Sequence, residues 1–247
     1  DTSKIVIKPN VYSWRNITVG NAFKNSYEYQ RDLNSHMMTN MEWGAIAYLT
    51  YSKYGRCTNE SCTEVTINNI NTGYYGKSVA FSGQWDYGAT ITGCAANTIS
   101  EAVVSNSSDC ANKYNTNKGY LASTTGNITG IYDMSGGSWE YVMGVLEDSN
   151  GNLYSRDSGF KGLKGNVAGA NTSGLDFPDK KYYDSYVSSD AVGTDNWYKY
   201  TSGKLGDATK EIANTKTSTL GGNRGLWFSD YAAFPTTTSP WFLRGGR

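Results

Sequence analysis

The sequence predicts a loop-rich α+β domain with few helices and short antiparallel strands, and three observations predict it. Helical periodicity is confined to the segment before Gly55. Beyond Gly55 the pattern changes to short β-favouring runs, such as Glu64-Val65-Thr66-Ile67 and Trp139-Glu140-Tyr141-Val142-Met143, separated by Asn, Gly, Ser and Thr. The chain also holds 28 Gly and 20 Tyr but only 4 Pro, a mixture that suits irregular loops carrying flat, half-polar side chains.

Taken in order, Ile5-Val6-Ile7 before Lys8-Pro9-Asn10 predicts a strand stopped by proline. A first helix is expected from about Thr18 to Arg31. Thr39 followed by Glu42 fits a capping box, Trp43, Ile46, Ala47 and Tyr54 share one helical face, and Gly55 can close the end. A second helix from Asn40 to Tyr54 follows, with a core-packing face. The region Ser149 to Asp195 holds long connections without a regular pattern, which in compact domains are either functional or disordered. No repeat, heptad, homopolymeric tract or linker divides the 247 residues, so one domain, 1–247, is expected.

The 22 Lys and Arg balance 22 Asp and Glu, and no basic block meets a phosphate backbone, so nucleic acid is not an expected partner. No apolar run approaches the roughly 18 residues of a membrane-spanning helix. The amino end, Asp1-Thr2-Ser3-Lys4, has neither an initiator Met nor a signal pattern, and processing from a longer chain is expected. Four cysteines fall into two local pairs, Cys57 with Cys62 and Cys94 with Cys110. An even count in a loop-rich chain favours disulfides in an oxidising compartment, with reduced buried thiols as the alternative. Neither spacing is a zinc pattern, and the lone His36 supplies no second ligand. An extracellular or cell-surface location is expected.

The run Gly130-Ile131-Tyr132-Asp133-Met134-Ser135-Gly136-Gly137-Ser138-Trp139-Glu140-Tyr141 resembles the signature of the formylglycine-generating-enzyme, or sulfatase-modifying-factor, family, a variant of the C-type lectin fold. Segments Met37 to Leu49, Gly119 to Asn127, Leu205 to Thr209 and Pro240 to Gly246 follow in the order of that resemblance. Together they are similar to non-catalytic surface or secreted proteins of gut Gram-positive bacteria. The resemblance implies a lectin-like fold and covers most of the chain. It also implies strands before Ile5 and after Arg247, so the domain is expected to lack terminal strands that the full protein or a neighbouring subunit supplies.

Within the run, Gly136 and Gly137 permit positive φ, Trp139 supplies a core anchor, and Asp133 and Glu140 can tie loops together by hydrogen bonds or a hard cation. The family usually carries Asn where Gly137 stands, an amide that helps bind calcium. Here calcium is left to Glu140 and backbone carbonyls.

The resemblance places catalytic cysteines after Arg244-Gly245-Gly246, where this sequence has none, and the sulfoxide synthases of the same fold need a histidine-rich iron site. No catalytic residue is therefore expected. A Ser-His-Asp arrangement would need His36, which lacks a GxSxG neighbour, whereas paired carboxylates for glycoside hydrolysis stay open because their spatial separation is not legible.

The segment Gly221 to Trp241 is dense in aromatics broken by small polar residues, the composition of a rigid contact face. In lectin-fold proteins diversified by retroelements, ligand-binding residues occupy the comparable region. The resemblance thus assigns ligand contact to Trp227, Phe228, Asp230, Tyr231, Phe234 and Thr236, and leaves Trp241, Phe242 and Arg244 to the framework. A protein or glycan on another surface is the expected ligand, with a protein preferred. The sequence expectation is a non-catalytic binding or adhesion module. The alternatives are a self-assembling subunit of a surface filament or phage fibre, and an oxidase of the parent family whose catalytic end is missing.

Overall fold

The computed structural model describes residues 5–11, 13–14, 17–59, 61–63, 65–66, 68, 91–97, 110–135, 140–154, 158–161, 173–187, 235, 237 and 239–245. Among these, two α-helices and seven short strands form the loop-rich α+β architecture that the sequence predicts.

Helix α1, Val19–Tyr29, begins at Thr18, whose hydroxyl accepts from the Asn21 backbone N–H at 3.3 Å. Its apolar stripe Val19, Phe23 and Tyr27 recurs every four residues and faces the core. Gly20 lies against another chain segment: its N–H donates to the Ser158 carbonyl at 2.6 Å, and a Cβ there would stand 2.8 Å from that oxygen. Helix α2, Asn40–Thr50, carries the expected capping box in full. It ends four residues earlier than expected, in a turn through Tyr51–Arg56. Gly55 tucks under the helix end, where an added Cβ would stand 2.3 Å from the Thr50 carbonyl oxygen. Trp43 and Ala47 are buried and Ile46 packs beside them. Tyr54 falls beyond the last helical turn and is 74% exposed, so it is not part of the core face.

Strand β1, Cys57–Thr58, pairs antiparallel with β2, Ser61–Cys62, and β3, Cys94–Ala95, with β4, Asn112–Lys113. The main sheet holds β5, Glu140–Glu147, at its centre, β6, Asp184–Val187, on one side and β7, Trp241–Arg244, on the other. Strand β7 is antiparallel to β5, with Glu140 opposite Arg244 and a register irregularity between Tyr141 and Val145. Strand β6 runs parallel to β5, which corrects the expectation of antiparallel strands alone. A parallel neighbour requires a crossover, and the long connection after Glu147 provides it.

Both faces of β5 are covered. Val142 and Leu146 point to a cluster with Trp43, Ala47, Met134, Tyr186 and Phe242 under α2. Met143 and Val145 point to a second cluster with Val19, Phe23, Met37, Phe160, Tyr182 and Trp241 under α1. Two-sided burial explains why the strand reads as a nearly continuous apolar run instead of alternating.

Ile5-Val6-Ile7 does not form a strand. Val6 and Ile7 are 68% and 84% exposed, and Asn10 turns the chain at φ 62° directly after Pro9. The chain makes its sheet-like contacts later, where Asn10 N–H donates to the Thr92 carbonyl and Thr92 N–H to the Val11 carbonyl. Val65 and Thr66 are buried and belong to no strand among the described residues, and the Thr66 N–H donates to the Leu121 carbonyl at 2.8 Å.

Both expected disulfides are closed, Cys57 to Cys62 and Cys94 to Cys110, so the four cysteines of the chain are all paired. Next to the first, Arg56 is buried and donates from Nε to the Thr63 carbonyl at 3.2 Å and from Nη1 to the Leu121 and Ser123 carbonyls at 3.1 and 3.3 Å. The disulfide hairpin and the Gly119–Ala122 turn are thereby joined through one guanidinium.

Candidate functional site

The two acids singled out in the sequence, Asp133 and Glu140, converge on one junction of loops. Asp133 adopts a left-handed backbone, φ 64°, which short polar residues tolerate better than others. This turns its carboxylate inward. Oδ1 accepts from Asn68 Nδ2 at 2.6 Å, and the Gly93 N–H donates to Oδ1 and Oδ2 at 3.0 and 2.9 Å. Asn68 Nδ2 also donates to the Ile91 carbonyl, and its backbone N–H donates to the Ser135 carbonyl. One carboxylate therefore ties together residues 68, 93 and 133–135. Desolvation pushes its pKa up, against the lowering effect of the Asn68 and Gly93 donors.

Glu140 is of a different kind. The residue as a whole is exposed, and at its carboxyl group desolvation, followed by the like charge of Asp133, raises the pKa well above the ordinary carboxylate range. An added Cβ on Gly245 would stand 3.3 Å from Glu140 Oε2 and 3.7 Å from the Met134 carbonyl oxygen, which brings the end of β7 to the same junction. Across the β5–β7 ladder stands Arg244, fully buried, with its guanidinium 3.8 Å from the centre of the Trp43 ring.

Among the described residues, two other oxygens of the junction have no hydrogen-bond partner: Asn68 Oδ1 and Ser135 Oγ, each on a residue 2% exposed. Asn68 has its amide nitrogen committed to two acceptors, so its oxygen cannot be traded for nitrogen by turning the amide over. Buried oxygens without a partner at a junction that also holds two carboxylates fit the donor chemistry of a hard cation. No group of three or more His, Cys, Asp or Glu assembles among the described residues, so calcium here would rely on Glu140 for charge and on neutral oxygens for the rest.

No family model matches the chain, and comparison with curated proteins and with solved structures returned no match.

The histidine lies elsewhere. Both of its ring nitrogens are engaged, Nδ1 with the Asn34 carbonyl at 2.6 Å and Nε2 with Glu42 Oε1 at 3.0 Å, so the contacts of a nucleophile-activating base are already taken by other groups. The six residues assigned to ligand contact, Trp227, Phe228, Asp230, Tyr231, Phe234 and Thr236, lie outside the described residues, as do Gly136, Gly137 and Trp139. What is described is the carboxyl boundary of that aromatic segment. Leu146 N–H donates to the Pro240 carbonyl at 2.9 Å, and Trp241 and Phe242 are buried on opposite faces of the sheet, the framework role expected of them.

Asn68, Gly93 and Ser135 were not predicted as site residues. Asn68 and Gly93 are separated from Asp133 by 65 and 40 positions, and no local pattern announces either as its partner.

Proposed function

We propose that this chain is an extracellular ligand-binding or adhesion module, built on a lectin-like fold of the sulfatase-modifying-factor type and working without catalysis. The observation that carries the reading is the aromatic and Ser/Thr-rich segment Gly221 to Trp241, which runs directly into a buried strand of the central sheet. A contact face gains affinity when its scaffold is rigid, because less conformational entropy is lost on binding. Leu146, Pro240 and Trp241 supply that rigidity at the carboxyl boundary. Trp227, Phe228, Asp230, Tyr231, Phe234 and Thr236 are the proposed contact residues, and a protein surface is the preferred ligand.

Two closed disulfides in a loop-rich α+β frame favour an oxidising, extracellular setting. No helix among the described residues is long and apolar enough to cross a membrane. The Asp133–Glu140 junction then acts as scaffold. When bound there, a calcium ion would neutralise Glu140 and hold the three loops, a structural rather than a catalytic contribution. Probing arrays of glycans and cell-surface proteins with the intact domain, with and without a calcium chelator, tests this function. Reproducible binding to one ligand class supports it, and oxidase turnover would overturn it.

A filament subunit is the second reading, favoured by Val6 and Ile7, which are apolar, β-favouring and exposed without strand pairing. An exposed apolar, β-favouring segment can add to a sheet edge of a second copy. Electron micrographs of the purified protein would show ordered polymers on this reading and dispersed particles on the first.

A further inference from the structure

The sole histidine of the chain occupies a position that its neutral form cannot satisfy. Its Nδ1 faces the Asn34 carbonyl oxygen at 2.6 Å and its Nε2 faces Glu42 Oε1 at 3.0 Å. Both partners are acceptors. A neutral imidazole has one N–H and one lone pair, so it can donate to one of them only while presenting its lone pair to the other. The imidazolium donates to both.

What those two contacts connect gives the arrangement its consequence. Asn34 is the left-handed residue, φ 56°, that ends the short turn Arg31–Leu33 after α1. Glu42 belongs to the first turn of α2 and divides its carboxylate: Oε1 meets His36, while Oε2 accepts the Thr39 N–H at 2.8 Å in the capping box. Thr39 pairs in turn with Met143 of the central strand, and Met143 N–H donates to the Met38 carbonyl at 2.8 Å. A third segment closes on the ring: Tyr182 packs at 5.4 Å between centroids and its hydroxyl donates to Asn34 Oδ1 at 2.8 Å.

We propose that His36 is a proton-operated latch: charged, it fastens the α1–α2 connection to the amino end of α2, and on losing its proton it releases that end. The charged and titratable groups around it are Glu42 from α2, Lys181 and Tyr182 from the Lys180–Tyr182 turn, and Tyr27 from α1, which packs on Tyr182. Desolvation and Lys181 oppose the charge on the ring. The Asn34 carbonyl and Glu42 together outweigh them, and the pKa is raised. A raised folded-state pKa makes the latch contribute fully below the pH at which the unfolded histidine titrates, and the contribution is lost as pH rises through the folded value. The amino end of α2 is therefore tightest under mildly acidic conditions.

A single histidine makes the test direct. The imidazole Cε1–H resonance of the intact wild-type chain is titrated by NMR, folded and in urea. A folded pKa above the unfolded one is expected, and one at or below it overturns the latch. In Glu42→Gln the amide oxygen still accepts from Thr39, so the cap persists while the charge partner is gone. The upward shift is expected to shrink in this variant, and an unchanged shift overturns the proposal. Hydrogen exchange at the Thr39 and Glu42 amides, corrected for intrinsic base catalysis, should accelerate across the folded pKa in wild type and lose that step in His36→Gln. A step that persists in His36→Gln would contradict the latch.

Discussion

Asp133 shows how one side chain can organise a region without strand pairing. Its left-handed backbone and its three accepted hydrogen bonds are separate requirements, and they can be separated by substitution. Asp133→Ala leaves the Gly93 N–H and Asn68 Nδ2 without this acceptor and places a Cβ-bearing residue without a polar side chain at positive φ. A loss on the order of 3 kcal/mol in urea unfolding is expected. Asp133→Asn keeps the tolerance for positive φ and one acceptor oxygen, so it should cost measurably less. Equal losses in the two variants would mean that neither the tolerance for positive φ nor the retained acceptor contributes. At this scale the sequence was partly legible. Asp133 and Glu140 stood out as residues able to tie loops, because carboxylates can do so by hydrogen bonds or through a hard cation. Asn68 and Gly93 did not, since a hydrogen bond across 40 or 65 positions leaves no local trace. Ser135 lay within the motif, but nothing in the sequence distinguishes a buried orphan hydroxyl from an exposed one.

Among the elements, those held by local interactions were the readable ones. The Thr39–Glu42 capping box marked the start of α2, and Thr18 began α1 where the pattern placed it. The end of α2 was misplaced because Tyr54 continues the apolar periodicity while Gly55 needs to sit beneath the last carbonyls, and tertiary approach wins over pattern. The tripeptide Ile5-Val6-Ile7 has strand propensity, but propensity without a pairing partner does not make a strand. The disulfides were legible from an even cysteine count in two local pairs of a loop-rich chain, and their unequal loops give a graded prediction. Chain-entropy reasoning assigns about 3 kcal/mol to the Cys94–Cys110 loop, with a separation of 16, and about 2 kcal/mol to Cys57–Cys62, with a separation of 5. Replacing Cys94 and Cys110 by serine should therefore lower the urea midpoint more than replacing Cys57 and Cys62. Burial of Cys94 and exposure of Cys62 widen the gap in the same direction. The reverse order would place the greater structural weight on the Arg56 hairpin.

For the whole molecule, the titrating groups act together. Asp133 and Glu140 have raised folded-state pKa values, so the folded state binds more protons than the unfolded chain between the ordinary carboxylate range and their raised values. Stability falls as pH rises through that interval. His36, also raised, loses its contribution over the next interval upward. Asp148 is lowered by hydrogen bonds from Asn152 and Asn150, and its opposite contribution disappears only as pH falls through its folded value. The slopes of the first three have one sign, so urea unfolding should give a larger free energy at pH 5 than at pH 8. In Glu140→Gln the decline on the acidic side should flatten, and calcium should stabilise wild type near neutrality more than the variant. Greater wild-type stability at pH 8 than at pH 5, without added metal, would contradict this assignment.

The coarse class of the molecule, two helices and short strands among long loops, followed from patterning. The parallel β6 did not, because strand direction is decided by a crossover that hydrophobic runs do not encode. Function depends on whether the aromatic segment before β7 is a contact face or a set of core side chains, and replacing Trp227 and Tyr231 together by alanine decides between them. Binding to the ligand found by surface-protein and glycan arrays is compared with thermal unfolding of the same variant. The binding-module account predicts that binding is lost while the unfolding transition is retained. Unchanged binding accompanied by lost folding would contradict it.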